Sequence, residues 1–535
     1  MYRNIKPVLI LFVSTLLLWS CQDDLELKPE DNRETSATVF DNPDSYREFT
    51  AKLYAGLSLS GQQGPAGDAD LAGLDEGFSN YMRLFFKLQE LTTDEAVIGW
   101  NDGTIKDLHS QTWTSGNEFI RTMYSRIMYQ IALTNEFLRQ TTDAKLDGRG
   151  VSGDLKSEIA EYRAEARFLR ALSYYHAMDL FGNPPFVTEE SPIGAFLPEQ
   201  IQRADLFTYI ETELLAIEND IIAPRENQYG RADRAAVWML LAKIYLNEGV
   251  YKGTQTPSYD KVITYTTKIA EAGYSIPKDM PYQNLFLADN DTNGAQNEVI
   301  FPITFDGLNT QSYGGMTFMI HASIGGSMDP ANFGVSSGWA GLRTTQQFVD
   351  LFPGGADTED KRAIFHTDGQ NKEINNISLF TDGYAVAKYK NIDVNGNQGS
   401  DSTGEFPDTD FPMFRLADAY LMYAEAVVRG GGGSTGQAVT YINELKERAY
   451  GDDSGNISAS DLNEDFILDE RGRELYWEAH RRTDLIRFNQ FTENGVWAFK
   501  GGVPQGTTTS AFRNIMPIPA SDLGVNTNLT QNPGY

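Results

Sequence analysis

Cysteine is nearly absent from this sequence, which has a single one, Cys21, in 535 residues. A disulfide joins two cysteines, so none can form within the chain. A thiolate metal site is excluded as well, because such sites draw on several cysteines. The fold must therefore be held together by burial, and 30 phenylalanines, 26 tyrosines and 7 tryptophans supply a large aromatic core.

Positive charge is also scarce. Lysine and arginine number 44 against 74 aspartates and glutamates, and the net charge is −30 at pH 7. A surface of this sign repels phosphate backbones, which excludes nucleic acid as a partner.

Signatures of catalysis are missing. The histidines are scattered, with no two at the spacing of zinc ligands: His109, His176, His321, His366 and His480. Gly334–Gly338 matches the Gly-x-Ser-x-Gly pattern around Ser336, but that pattern requires a strand before it and a helix after it. Carboxylate pairs such as Asp408 and Asp410 arise by chance among 74 acidic residues. We predict a protein that binds and does not catalyse.

Long apolar runs are limited to the N-terminus. Val8–Leu18 is almost unbroken aliphatic sequence between two basic residues and Leu18-Trp19-Ser20-Cys21. This order is typical of a secretory signal, and the run is too short to span a bilayer. The cysteine at the cut predicts a bacterial lipoprotein with a signal peptide at 1–20, a lipid on Cys21 and a tether over 21–38. The alternative is an ordinary signal peptide with an incidental cysteine.

Most of the remaining chain has apolar residues at helical spacing. The predicted helices are Phe119–Arg139, Leu155–Leu180, Ala204–Ile222, Ala232–Asn247, Tyr259–Ala272, Arg415–Arg429, Gln437–Tyr450 and Asp461–Asn489. Trp238, Leu241, Ala242 and Tyr245 have the spacing of the first helix of a tetratricopeptide repeat, although ordinary amphipathic packing is an alternative. We predict one mainly α domain over residues 39–535, in which tetratricopeptide-like helical pairs support a loop-rich region with short strands.

That loop-rich region is residues 273–413, which are rich in Gly, Asn, Asp, Ser and Thr and include a strand-like run at Glu298–Phe305. A long irregular stretch within a helical protein is usually functional. Binding surfaces are often loops held on a rigid scaffold. We therefore expect this region to contribute to a binding surface.

Residues 289–294 of this region resemble the front half of a calcium loop, with oxygen ligands at alternate positions followed by a glycine. Ile300 stands where such a loop has its glutamate, so Glu298 would have to substitute for it. Two interpretations stay open: a calcium site formed by Asp289, Asp291, Asn293 and Glu298, or a plain Asn/Asp turn.

Three aromatic residues, Trp100, Tyr313 and Trp339, lie in polar, glycine-rich segments. A ring in such a loop either inserts into the core or stays partly exposed. Exposed rings offer flat, rigid faces at low entropic cost. Sugar rings stack on such faces through their C–H groups while Arg, Asn and Asp bind their hydroxyls. Three such rings in an exported protein without a catalytic set predict a glycan-binding surface.

Several further segments complete a resemblance to a known family. They are the cysteine-ended signal, Glu161–Ala171, Asp179–Gly182, Phe414–Tyr420, Asp469–Leu475, His480–Phe488 and Pro517–Pro519. Over essentially the whole chain, the sequence resembles the SusD/RagB family of outer-membrane lipoproteins. The resemblance implies a cell-surface protein that captures glycan for a SusC-like TonB-dependent transporter, with its tetratricopeptide-like helices facing the transporter.

Within that family the chain is most similar to the starch-binding members, through Glu90–Glu95, Tyr313–Gly315, Ser337–Trp339 and Phe406–Asp410. This resemblance implies that the three rings cup the curvature of an α-glucan, either starch or malto-oligosaccharide. It also implies ligand-binding roles for Arg83, Asn101 and Asp102.

Two positions depart from the starch-binding pattern. Ile98 stands where those members have a second tryptophan, and Gly103 where they have an asparagine that binds the glucan. The binding surface is therefore expected to be smaller. Another glucan, such as a β-1,3-glucan, is an alternative ligand, and a surface glycoside hydrolase is an alternative function.

Overall fold

The computed structural model describes residues 38–65 and 67–535. Cys21, the predicted signal peptide and residues 21–37 of the predicted tether lie outside the described residues. The described residues fall into two units, which are divided between Tyr46 and Arg47. In the first, a 3-10 helix spans Val39–Asp41, and the Tyr46 hydroxyl donates to the Phe40 carbonyl oxygen at 3.1 Å. The predicted domain boundaries stay predictions.

The second unit is mainly α-helical, as predicted. The helices found in the described residues are α1 (Ser45–Ser58, which begins at the end of the first unit), α2 (Tyr81–Glu90), α3 (Lys106–Ser110), α4 (Glu118–Gln140), α5 (Asp143–Gly148), α6 (Gly153–Phe181), α7 (Arg203–Ile217), α8 (Arg234–Leu246), α9 (Glu248–Lys252), α10 (Tyr259–Ala270), α11 (Gly315–Ala322), α12 (Gln346–Val349), α13 (Leu416–Val428), α14 (Thr435–Tyr450), α15 (Glu464–Leu475), α16 (Arg481–Arg487) and α17 (Ala520–Val525). None of these helices is long and apolar enough to cross a membrane.

The helices pack in succession. Helix α4 packs against α6 and α6 against α7, while α8 packs against α10, α10 against α13 and α13 against α14. Leu241 and Ala242 of α8 are fully buried, and the small side chain of Ala242 lets the partner helix approach closely. These helical pairs form the scaffold that the sequence predicted.

The strands are short and form three two-stranded sheets. They are β1 (Val97–Ile98), β2 (Val299–Ile303), β3 (Leu342–Arg343), β4 (Phe365–His366), β5 (Ala385–Val386) and β6 (Phe411–Arg415). All three pairs are antiparallel: β1 with β3, β2 with β6 and β4 with β5. The first pair matters for the site, because it brings the loop after β1, which holds Trp100, next to the loop before β3, which holds Trp339.

The predicted helical segment Asp461–Asn489 is broken in the structure into α15 and α16. Between them, Trp477 and Ala479 have positive φ angles of 60° and 63°. The Trp477 N–H donates to Glu95 Oε2 at 2.9 Å, and the His480 N–H donates to Glu90 Oε1 at 3.1 Å. Carboxylates from distant segments therefore replace the intrahelical hydrogen bonds that a continuous helix would have made.

A buried ionic network joins the strands to the C-terminal helices. Arg415 lies 2.8 Å from Glu298, 2.6 Å from Glu474 and 2.6 Å from Glu478, and Arg448 also pairs with Glu298 and Glu474. Burial alone would raise the pKa of Glu474, but the surrounding guanidinium groups outweigh it and lower that pKa to about 2.

Candidate functional site

The three predicted rings form one non-planar surface, here called the aromatic platform (Trp100, Tyr313 and Trp339). The ring centroids of Trp100 and Trp339 are 6.4 Å apart with an interplanar angle of 44°. Those of Tyr313 and Trp339 are 6.5 Å apart at 45°. All three residues are half-buried, so each keeps part of its ring accessible. The platform is therefore not flat, because both flanking rings are inclined to the central Trp339.

The two indoles are held by close contacts with backbone and with one buried ring. Trp100 Nε1 donates to the Trp339 carbonyl oxygen at 3.1 Å. Trp100 also packs directly over Gly341, where a Cβ atom would lie 2.6 Å from Trp100 Cε2. The buried His321 ring stacks on Trp339 at 4.7 Å, and both nitrogens of that imidazole contact backbone carbonyls. Neither indole can move without breaking one of these contacts.

The Tyr313 turn is held by side chains at the N-terminal end of α2. Glu76 accepts the Tyr313 N–H at 2.9 Å and the hydroxyl of the preceding serine at 2.6 Å. Asn80 caps α2 and accepts the Gly315 N–H at 3.0 Å. Arg83 Nη1 donates to the Tyr313 carbonyl oxygen at 3.0 Å. The position of this ring thus depends on residues more than 200 positions away in sequence.

Arg83 lies between two aromatic rings. Its guanidinium carbon is 4.4 Å from the centroid of Phe78 and 4.3 Å from that of Phe318. Burial lowers the pKa of Arg83 to about 9, although nearby carboxylates, first Asp75 and then Asp102, oppose the shift. The side chain therefore stays charged at neutral pH. No described residue accepts a hydrogen bond from its Nε.

The platform opens onto a cavity of about 1010 Å³. Arg83, Asn101 and Asp102 line it together with the three rings, so all six predicted ligand-binding residues lie on one cavity. The remaining lining comes mainly from residues 65, 67–69 and 74–78, which include Phe78 and Glu76. These lining residues are not among the predicted ligand-binding residues. The glycine- and aspartate-rich composition of residues 61–77, similar to that around the three rings, is the signal that could have revealed them.

The structure places both residues that depart from the starch-binding pattern. Ile98 is fully buried in β1 and adds no ring to the cavity. Gly103 has a φ of 44°, and a Cβ atom there would collide with the Glu118 carboxylate. A larger residue such as asparagine does not fit at position 103 unless Glu118 moves.

The residues of the predicted calcium loop mostly bond one another or nearby backbone. Asp289 Oδ1 accepts from Asn293 Nδ2 at 3.0 Å, and Asp291 accepts the adjacent threonine hydroxyl at 3.1 Å. Glu298 is engaged by Arg415 and Arg448, so the prediction that it serves as the fourth ligand needs correction. Within residues 38–65 and 67–535, no group of three or more His, Cys, Asp or Glu side chains is arranged to hold a metal ion. A calcium ion held by the loop alone stays a prediction.

The other residues considered for catalysis are placed unsuitably for it. Ser336 follows a 3-10 helix, Pro330–Phe333, instead of a strand, and its hydroxyl donates to Glu405 at 3.2 Å. Asp408 and Asp410 accept backbone N–H groups of residues 307 and 305 and do not line the cavity.

Comparison with known proteins identifies the family. A sequence model of the SusD family matches residues 367–535. The starch-binding protein SusD of Bacteroides thetaiotaomicron is 37% identical over 563 aligned residues, which cover 96% of this chain and 96% of that protein. The chain belongs to the SusD family.

Solved structures of the SusD superfamily share the fold. One from Bacteroides thetaiotaomicron has a TM-score of 0.70 at 19% identity and covers 92% of this chain and 100% of its own. The surface glycan-binding protein A of the same organism, solved in complex with laminarihexaose, has a TM-score of 0.69 at 18% identity and covers 91% and 99%. These relatives are named as binding proteins and not as enzymes, in agreement with the predicted absence of catalysis.

Proposed function

We propose that this SusD-family protein captures an α-glucan, either starch or malto-oligosaccharide, at the cell surface and delivers it to a SusC-like TonB-dependent transporter. The observation that carries the proposal is the non-planar platform of three half-buried rings over a cavity that also contains Arg83, Asn101 and Asp102. Rings inclined to one another fit a curved chain better than a flat one. The sequence similarity to a starch-binding protein supports the same ligand class.

The size of the platform suits reversible capture. Three ring stacks at about 0.5–1.5 kcal/mol each, with a few hydrogen bonds, correspond to dissociation constants in about the micromolar to millimolar range. A protein that hands its ligand to a transporter has to release it, and binding in this range allows release.

The proposal is tested by isothermal calorimetry with maltoheptaose and by affinity electrophoresis in amylopectin. Trp100→Ala and Trp339→Ala should each weaken binding, while Trp238→Ala, a half-buried tryptophan of α8 that does not line the cavity, serves as the matched control. Failure of the unmodified protein to bind any glucan would refute the proposal. Tighter binding to laminarin than to maltoheptaose would favour the β-1,3-glucan alternative, and release of reducing ends from starch would favour the glycoside hydrolase.

We further propose that the protein is anchored in the outer membrane through lipid on Cys21, with the transporter as its partner. The signal-like N-terminus and the family membership support this arrangement. Co-purification of a tagged protein with the transporter from detergent-solubilised membranes tests the partnership. Recovery of the tagged protein free of any large membrane protein would contradict it.

A further inference from the structure

Two further cavities are lined by chain segments that continue into the lining of the platform cavity. The smaller has a volume of about 280 Å³ and lies beside residues 59–64. The larger, about 600 Å³, is here called the tyrosine cavity because Tyr54, Tyr162 and Tyr229 line it. Its lining on α1 extends from Arg47 to Ser58, which corresponds to about 16 Å of helix.

The three cavities are bordered by the same two stretches of chain. The first stretch is α1 and the residues that follow it. Its residues up to 58 line the tyrosine cavity, residues within 52–64 line the small cavity, and residues 65 and 67–69 line the platform cavity. The second stretch is the segment 304–313. Thr304 and Thr310 line the tyrosine cavity, residues 308, 309 and 311 line the small cavity, and Tyr313 lines the platform cavity. The cavities therefore succeed one another along one strip of surface that ends at the platform.

The tyrosine cavity presents a fixed ring. Tyr229 is 40% exposed, although its hydroxyl lies beside the buried Asp410 carboxyl. A ring anchored at one end and exposed on its flank is a rigid, flat surface of the kind that the platform also offers. On the same cavity, the Arg231 guanidinium lies 5.1 Å from the centroid of Tyr162 and pairs with the buried Glu165.

The polar groups around this ring suit a neutral, hydroxyl-rich ligand. Arg231 uses Nε and Nη2 to bind Glu165, and no described residue bonds its Nη1. The side chains of Gln228 and Thr304 also have no hydrogen-bond partner among the described residues and face the same cavity. The charged side chains that line the cavity balance, with Arg47 and Arg231 against Glu48 and Glu158, so neither an anion nor a cation is favoured.

We propose that the strip is a glycan track, in which a long glucan bound at the platform continues through the small cavity into a second stacking subsite at Tyr229. This inference rests on the proposed function and adds a binding site that short oligosaccharides do not reach. Two weak contacts on one chain reinforce each other, because the second forms at high effective concentration once the first is made. The track therefore makes the protein selective for polymer over short fragments.

The track is tested with a short and a long probe, maltotriose by calorimetry and amylopectin by affinity electrophoresis. Tyr229→Ala should weaken amylopectin binding by about two- to tenfold, the range for one aromatic stack, and leave maltotriose binding unchanged. Tyr229→Phe, which keeps the ring, should bind amylopectin like the unmodified protein. Trp339→Ala should weaken binding of both probes.

A second variant guards against misfolding of Tyr229→Ala. Gln228→Ala combined with Thr304→Ala removes two partnerless side chains and is expected to leave the thermal unfolding temperature unchanged while weakening amylopectin binding. Unchanged amylopectin binding in both variants would overturn the track but would leave the proposed function intact. The proposed function fails only if the unmodified protein binds neither maltotriose nor amylopectin. If these variants no longer co-purify with the transporter but still bind amylopectin, the tyrosine cavity belongs to the interface with the transporter. That result would also overturn the track.

Discussion

Glu76 offers the most direct test of how the platform is built. Its carboxylate accepts the Tyr313 N–H at 2.9 Å and the neighbouring serine hydroxyl at 2.6 Å. In Glu76→Gln a single amide oxygen remains as acceptor, so one of these bonds is lost. A hydrogen bond to a charged group contributes about 1.5–3 kcal/mol. The lost hydrogen bond is therefore worth more than one stack of a ring on a sugar, which contributes about 0.5–1.5 kcal/mol. A bound glycan cannot compensate for the loss, so we expect Tyr313 to lose its fixed position.

The expected result is a dissociation constant for maltoheptaose that rises by about two- to tenfold. Calorimetry on Glu76→Gln, Tyr313→Ala and the double variant completes a mutant cycle. If Glu76 acts through Tyr313, the double variant binds like Tyr313→Ala alone, because residues in direct contact give non-additive effects. Glu211→Gln on α7, outside the cavity, is the matched control for the same chemical change.

Two outcomes would refute this reasoning. Additive effects in the cycle would mean that Glu76 contributes to binding independently of the tyrosine ring. An unchanged dissociation constant accompanied by a lower unfolding temperature would mean that the carboxylate serves the fold alone.

The remaining predictions concern stability and anchoring. Arg415→Met removes one guanidinium from the buried ionic network at a cost of about 3–5 kcal/mol, so the Tm should fall, and an unchanged Tm would contradict this. Arginine neighbours outweigh burial and lower the pKa of Glu474 and Asp484 to about 2. The two ionised carboxylates therefore stabilise the fold above pH 5, and this stability is lost as the pH falls towards 2. A series of Tm measurements over this pH range should show the loss. Burial raises the pKa of Asp410 to about 7, so the unmodified protein loses stability as the pH rises from about 4 to 7. Asp410→Asn should therefore gain stability relative to the unmodified protein over this range, with no gain at pH 4. The reverse trend would be inconsistent with the raised pKa. Cys21→Ala should move the protein from the detergent phase to the aqueous phase, and its retention with detergent would argue against a lipid anchor.

The long helices were predictable because one face of each is apolar and their ends carry clear signals. Phe119–Arg139 was expected and α4 spans Glu118–Gln140, where Asn117 caps the first turn by accepting two N–H groups. Helix α2 was missed although Arg83, Lys87 and Glu90 recur at i, i+4 and i+7, which is helical spacing. In the structure all ten residues of this helix are buried, including these polar ones, because other elements also cover its polar face.

The rings of the site were predictable from local composition, but their supports were not. An aromatic residue among glycines and polar residues is unusual enough to be noticed in the sequence alone. The roles of Glu76 and Asn80 depend on contacts with Tyr313 and Gly315, more than 200 residues away. The break at Trp477 was missed for the same reason, since the acceptor of its N–H is Glu95.

The supports also show how loops can hold the rings of the proposed site in one conformation. The N–H and the carbonyl of Tyr313 are both occupied, by Glu76 and Arg83, and the indole N–H of Trp100 is bound to Trp339. Because folding already orders these groups, little conformational entropy remains to be lost when a glycan binds. A few stacks are then enough to hold a sugar chain, and no deep enclosure is needed that would slow its release. Loosening any one support should therefore weaken binding even where every ring is still present.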